Sequence, residues 1–208
     1  MIYCVSDIHG DLDKLERMME LIRFSDADHL YIIGDVIDRG VMGVDILRWI
    51  MAAPNMTMLL GNHEQMCLDT LGPKNEFGAR DLWRQNGGMP TYRELLYHRA
   101  PTERSSILRF LAGLPDHLDL EVSRRKFHLV HGCPSEDRNA RIWGQQVPLI
   151  AREDLWRSGS RLLGGISHIE LRHVIQSQTG QPAVLRAQIP AAAIDVDDVI
   201  SMPNAVLF

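Results

Sequence analysis

Three short clusters of side chains in this sequence have the residue types and spacing of a metal site. Each cluster directly follows a β-favouring run, and together they comprise Asp7, His9, Asp35, Asp38, Arg39, Asn62, His63 and Glu64. Carboxylate, imidazole and amide groups suit divalent Mn, Fe or Zn ions better than they suit metals that prefer thiolates. The guanidinium of Arg39 offers a planar fork of donors that fits two oxygens of a phosphate. We interpret Asp35 as the centre of a site that holds metal ions and faces a phosphate.

Asp7 and His9 lie two residues apart after the run Ile2–Val5. In an extended segment, this spacing places both side chains on one side, where they could bind the same ion. The alternative is that Asp7 caps the following helix and that His9 is an ordinary surface histidine. Taken alone, this pair leaves both interpretations open.

The elements around these clusters predict a β/α architecture. Leu12, Leu15, Met19 and Ile22 recur at helical spacing, so we expect a helix over residues 11–23 between the strand at 2–5 and a strand at 30–33. This βαβ unit predicts parallel pairing with a right-handed crossover. A helix at 44–51 and a strand at 56–60 continue the pattern. In such sheets, ligands bind beyond the carboxyl ends of the strands, where all three clusters lie.

The rhythm of strands and helices is interrupted between about residues 72 and 118. Gly72-Pro73 opens this segment, Asn86-Gly87-Gly88 interrupts it, and its leucines suggest helices. It is either a helical insertion over the mouth of the site or a plain helical spacer. A strand at 127–130 then ends in His131, a further ligand candidate.

Composition limits the class of protein. The 208 residues are 45% hydrophobic, which predicts one globular domain over residues 1–208. The net charge of −5 gives no basic surface for nucleic acid. The three cysteines are widely spaced and form no pair, which favours a reducing cytoplasm. We find no long apolar run and expect no membrane partner; the sequence does not indicate the oligomeric state.

Together, the motifs Asp7-x-His9-Gly10, Gly34-Asp35-x-x-Asp38-Arg39-Gly40, Gly61-Asn62-His63-Glu64 and His131-Gly132 resemble the calcineurin-like metallophosphoesterases. The likeness is to the phosphoprotein phosphatase branch, and within it to the small phage lambda and bacterial Ser/Thr protein phosphatases. This resemblance implies an α/β fold in which a β-sheet sandwich is flanked by helices, with a helical cap insertion. It also places a substrate-facing cap at residues 72–118.

The resemblance further implies two divalent metal ions, which we expect to be Mn²⁺, with Fe or Zn as alternatives. The implied ligands are Asp7, His9 and Asp35 for the first ion and Asp35, Asn62 and His131 for the second. A hydroxide generated between the two ions would attack the phosphorus atom. His63 resembles the general acid, with Asp38 accepting its other N–H, and Arg39 and Asn62 would contact the substrate phosphate.

Two residues depart from the family pattern. Leu60 stands where many protein phosphatases of the family have an arginine, a choice that resembles the diadenosine tetraphosphate hydrolases. Gln178, in Ser177-Gln178-Thr179, stands where the family usually has a histidine that completes the second metal site. Its amide oxygen would be a weaker ligand than an imidazole, and His168 or His173 could compensate.

Three functions are consistent with this pattern. The first is a metal-dependent Ser/Thr-type protein phosphatase that acts on a phosphoprotein or a small phosphoester. The second, based on Leu60, is a dinucleoside polyphosphate hydrolase. The third, based on Gln178, is a metal-binding module with weakened or lost activity.

Overall fold

The structure, a computed structural model, describes residues 1–122, 125–133, 135–143, 161–163 and 205–207. The elements alternate between strands and helices in the first third of the chain, and helices dominate the next third. In chain order they are β1 (Ile2–Val5), α1 (Leu12–Ile22), β2 (His29–Ile33), α2 (Gly43–Ala52), β3 (Met56–Leu59), α3 (Asn62–Leu71), α4 (Ala79–Gln85), α5 (Met89–Arg93), a π-helical turn (Glu94–His98), α6 (Pro101–Ala112), β4 (His117–Val122), β5 (Arg125–Val130), α7 (Arg138–Trp143), β6 (Arg161–Leu163) and β7 (Ala205–Leu207).

The first sheet has the strand order β3-β2-β1-β7. β1, β2 and β3 run parallel, with Tyr3 opposite Leu30 and Ile32 opposite Met58, whereas β7 pairs antiparallel with β1. The predicted β1-α1-β2 unit with parallel pairing is therefore confirmed. Its consequence for the site is geometric, since the loops after β1, β2 and β3 leave the sheet at the same edge.

A second sheet, in the order β4-β5-β6, packs against one face of the first. Cys4, Ile33 and Leu59 of the first sheet form a buried cluster with Phe127 and Leu129 of β5. The neighbouring residues on each strand point to the opposite face and pack against helices. Because side chains alternate along a strand, β1, β2 and β3 each contribute to both layers. The predicted sandwich with flanking helices is confirmed.

The segment between α3 and β4 is helical, and its side chains join the main core. Trp83, Leu95, Ile107 and Leu111 are buried in the same cluster as the residues of α1 and α2. The segment therefore packs against α2 and α3 and shares the main core. Across the described part of the chain, every helix is too short or too polar to cross a membrane.

Candidate active site

The loops after β1 and β2 are tied together where the two strands end. The backbone N–H groups of Asp7, His9 and Gly10 donate to the carbonyls of Gly34, Asp35 and Val36 over 3.2, 3.0 and 2.7 Å. These bonds extend the parallel pairing of the strands into the loops. They hold the first two motifs side by side at the carboxyl edge of the sheet.

The backbone at this edge is strained. Asp7, His9, Asp35, Asp38 and Arg39 all have positive φ angles, between 49° and 74°. A non-glycine residue held in this region costs about 1–3 kcal/mol, although aspartate tolerates it better than most. The surrounding fold therefore holds these five residues in place at the expense of stability, which is typical of functional sites.

Glu64 stabilises the strained loop after β2 through hydrogen bonds to its backbone. Its fully buried carboxylate accepts the backbone N–H groups of Asp35, Val36, Ile37 and Gly61 at 2.8 to 3.2 Å. Burial and the charge of Asp35 raise the pKa of Glu64 to about 7, and the N–H groups oppose that shift. The motifs alone indicate no role for Glu64, although a glutamate at the third position of a helix commonly accepts the backbone N–H of the N-cap residue, here Gly61.

One ring nitrogen of His9 is unprotonated and lies near two carboxylates. Its Nδ1–H donates to the carbonyl of Ile37 at 3.1 Å, which leaves Nε2 as an unprotonated lone pair. This Nε2 is buried, makes no hydrogen bond to any described residue, and lies 3.9 Å from both Asp7 Oδ1 and Asp35 Oδ2. Burial lowers the pKa of His9, which keeps the ring neutral. An orphaned lone pair beside two carboxylates fits a bound cation.

His131 is arranged in the same way on the other side of Asp35. Its Nδ1–H donates to the carbonyl of Ile33 at 2.8 Å, while Nε2 lies 2.9 Å from Asn62 Oδ1 and 3.3 Å from Asp35 Oδ2. Burial alone would lower the pKa of His131, but the charge of Asp35 and its hydrogen bond raise it to about 10. The carboxylate thus attracts a positive charge to this position, which a metal ion could supply in place of the proton.

Two groups of possible ligands share the Asp35 carboxylate. One comprises Asp7, Asp35 and His131 and the other His9, Asp35 and His63, and the ligand atoms of each group lie within 4.8 Å of one another. The expected sets paired Asp7 with His9, whereas here Asp7 also groups with His131. The oxygen and nitrogen donors fit Mn, Fe or Zn. Gln178, His168 and His173 lie outside the described residues.

Asp38, His63 and Arg39 form a second constellation beside Asp35. The Nδ1–H of His63 donates to Asp38 Oδ2 at 2.7 Å, and Nε2 lies 3.4 Å from Nη2 of the exposed Arg39. Burial alone would lower the pKa of His63, but the Asp38 hydrogen bond and the charge of Asp35 raise it. Asp38 Oδ2 also accepts the indole N–H of Trp83, a contact that no sequence motif predicts.

A cavity of about 560 Å³ opens beside this constellation. Its lining includes Asp7, His9 and Arg39 together with apolar side chains such as Leu12 and Val41. A group bound at Arg39 would therefore lie in a cavity that also offers apolar contacts.

Comparison with known proteins decides the family. The sequence profile described as calcineurin-like phosphoesterase matches residues 1–190. The chain belongs to this family. It is therefore a metallophosphoesterase, a class of hydrolase that depends on two metal ions.

The relatives of this phosphoesterase include proteins named as protein phosphatases and a protein named as a tetraphosphatase. It is 31% identical to serine/threonine-protein phosphatase 2 of Salmonella typhimurium, over 79% of this chain and 71% of the relative. It is 34% identical to serine/threonine-protein phosphatase 1 of the same organism, over 80% and 73%. It is also 30% identical to a symmetrical bis(5'-nucleosyl)-tetraphosphatase of Thioalkalivibrio sulfidiphilus, over 59% of this chain and 48% of the relative.

Proposed function

We propose that this phosphoesterase is a phosphomonoesterase of the Ser/Thr protein phosphatase type. One observation carries the proposal. Three imidazole Nε2 atoms, those of His9, His63 and His131, surround Oδ2 of Asp35 at 3.9, 3.9 and 3.3 Å. One of these rings is also paired with the buried carboxylate of Asp38. The arrangement supports metal binding next to a proton donor.

The proposed metal ligands are those that the sequence motifs imply, with Asp35 common to both ions. They are Asp7, His9 and Asp35 for one ion and Asp35, Asn62, His131 and Gln178 for the other. When bound, two divalent ions would supply a water molecule of lowered pKa and would neutralise charge on the phosphate oxygens. We propose Mn²⁺ as the metal, with Fe or Zn as the alternatives that the same donors suit.

The proposed acid is His63. As the bond between phosphorus and the leaving oxygen breaks, Nε2 of His63 would donate its proton to that oxygen. Asp38 fixes the ring through Nδ1 and stabilises the protonated form. A positioned acid of this kind typically contributes about 10² to 10⁴ in rate.

Arg39 and Asn62 would bind the substrate phosphate. Arg39 is exposed, and its Nη2 lies 3.4 Å from Nε2 of His63, so a phosphate held by the guanidinium would also meet the acid. Two parallel N–H bonds from a guanidinium fix the orientation of a phosphate as well as its position. Arg39 therefore combines binding with alignment.

A second candidate activity is the hydrolysis of dinucleoside polyphosphates. Leu60 favours it, because this residue is 1% exposed and offers no phosphate contact where many protein phosphatases of the family have an arginine. The relative named as a tetraphosphatase points in the same direction. The ratio of kcat/KM for a phosphoserine peptide to that for diadenosine tetraphosphate separates the two activities. We expect the peptide to be preferred, and a preference for the dinucleotide would replace the first proposal with the second.

The third candidate, a metal-binding module with little turnover, depends on Gln178. Titration of Mn²⁺ into the native protein and into Gln178→His, with p-nitrophenyl phosphate as substrate, tests it. We expect saturable turnover in the native protein, with half-saturation at a higher Mn²⁺ concentration than in the histidine variant. Turnover by the histidine variant alone would identify the native chain as a relative that has lost the second metal ion.

A further inference from the structure

The indole of Trp83 in α4 contacts the same carboxylate oxygen as the proposed acid. Its Nε1–H donates to Asp38 Oδ2 at 2.6 Å, and the Nδ1–H of His63 donates to that oxygen at 2.7 Å. Trp83 is 1% exposed and Asp38 is 0% exposed. A hydrogen bond to a charged group is stronger than a neutral one, and burial strengthens it further.

Asp38 has few other partners. Its Oδ1 is buried and makes no hydrogen bond within the described part of the chain. Its backbone N–H donates to Thr91 Oγ1 in α5 at 3.0 Å. Both side-chain donors therefore meet at one oxygen, and among the described residues the indole N–H is one of two groups that hydrogen-bond the carboxylate.

The turn between α4 and α5, which contains Asn86-Gly87-Gly88, places the indole. The carbonyl of Gly87, a residue with φ of +90°, accepts the backbone N–H of Arg39 at 3.0 Å. A methyl group at Gly88 would overlap the Trp83 ring, so only glycine allows this approach. Tyr92 supports the ring edge-on, with the centroids 6.0 Å apart. The turn thus fixes both Trp83 and the loop that carries Arg39.

We propose that Trp83 is a positioning residue for His63. Its indole N–H, assisted by the hydroxyl of Thr91, fixes Asp38 so that the carboxylate holds the acid in line with the leaving group. The helical segment is then a part of the active site and not a spacer. This inference rests on the proposed role of His63 as the acid.

Loss of the indole N–H has a specific kinetic consequence. Asp38 would then be held at Oδ2 by the His63 N–H without the second donor, so the carboxylate would orient the His63 ring and stabilise its protonated form less well. Acid catalysis matters most when the leaving oxygen is basic. The defect should therefore be larger for phenyl phosphate than for p-nitrophenyl phosphate, whose leaving group departs without much help.

The test compares Trp83→Phe with the wild type on both substrates at saturating Mn²⁺. The phenylalanine keeps most of the ring volume and removes the N–H. We expect kcat to fall about tenfold for phenyl phosphate and less than about threefold for p-nitrophenyl phosphate, with KM unchanged. The matched control is Trp49→Phe. Trp49 is a half-buried residue of α2 outside the site, so its replacement should leave both rates unchanged.

Equal losses on both substrates, or no loss, would overturn the proposal for Trp83. His63→Asn separates this failure from failure of the acid itself. That variant should lose about 10² or more on phenyl phosphate and less on p-nitrophenyl phosphate. If His63→Asn shows no dependence on the leaving group, the proposed acid is wrong; if it does and Trp83→Phe does not, only the role of Trp83 is wrong.

Thr91→Val provides a second test if Trp83→Phe does not fold. The valine has the same shape and removes the hydroxyl that accepts the Asp38 backbone N–H. It should show the same selective loss on phenyl phosphate, with an unchanged stabilisation by Mn²⁺ in thermal unfolding. Equal losses on the two substrates would contradict the proposal here as well.

Discussion

The carboxylate of Glu64 accepts the backbone N–H of Asp35 across 2.8 Å, so the residue proposed to bridge two metal ions is held from behind by a second buried acid. The same oxygen accepts the N–H of Gly61, and the other oxygen accepts two more N–H groups of the Asp35 loop. Glu64 thus joins the start of α3 to the loop after β2. This contact explains how a strained backbone keeps one conformation.

Replacing Glu64 with glutamine should destabilise the protein strongly. The amide NH₂ group would face N–H donors that the carboxylate now satisfies, and buried unsatisfied donors cost about 1–3 kcal/mol each. We expect a loss of about 2–4 kcal/mol in the free energy of unfolding, measured in urea. Asp69→Asn, the same change in the half-buried last turn of α3, is the control and should stay within about 0.5 kcal/mol of the wild type. Similar losses in the two variants would contradict the role of Glu64.

Substitutions of Arg39 should separate the effect of its backbone strain on stability from the effect of its guanidinium on activity. Its φ of +64° disfavours any residue with a Cβ atom, and its side chain is exposed. Arg39→Gly should therefore be more stable than Arg39→Ala by about 1–2 kcal/mol in urea unfolding. Both variants should lose kcat/KM to the same extent, because both lack the guanidinium. An alanine variant as stable as the glycine variant would show that the loop is not strained at this position.

Metal binding should depend on His131 and not on its neighbour His128. Both residues are close in sequence, but His128 points away from the site and pairs with Asp119 at 2.6 Å. Mn²⁺ at 100 times its Kd should stabilise the wild type and His128→Asn by about 2.7 kcal/mol in thermal unfolding. His131→Asn should lose most of this stabilisation. If the histidine at 131 can be removed without changing the response to Mn²⁺, it is not a ligand.

Local pattern predicted the elements that carry the site. The helical spacing of apolar residues from Leu12 to Ile22 and the β-favouring runs before Asp7 and Asp35 placed α1, β1 and β2 within one or two residues. Each of these elements is a short continuous stretch, so its side-chain periodicity can be recognised locally. β4 was missed, although its apolar residues Leu118, Leu120 and Val122 alternate and its antiparallel partner β5 begins at Arg125, so this signal was local.

The partners of the site residues could not be predicted in the same way. Trp83 reaches Asp38 over 45 positions in sequence, and this contact depends on how the helical segment packs. The spacing of Asn86-Gly87-Gly88 suggested only an interruption, since a close approach between two backbones leaves no periodic signal. The motifs identified the charged groups, whereas the groups that orient them emerge only from tertiary packing.

The most direct test of the account is hydrolysis of p-nitrophenyl phosphate during Mn²⁺ titration, with Asp35→Asn beside the wild type. The asparagine keeps the size of the side chain and an oxygen for the backbone N–H of His63, but it removes the charge that both ligand groups share. We predict saturable, Mn²⁺-dependent turnover in the wild type. In the variant, we predict that kcat falls by a factor of about 10² or more. Equal turnover by the two proteins, or none by the wild type with Mn²⁺, Fe²⁺ or Zn²⁺, would contradict the account.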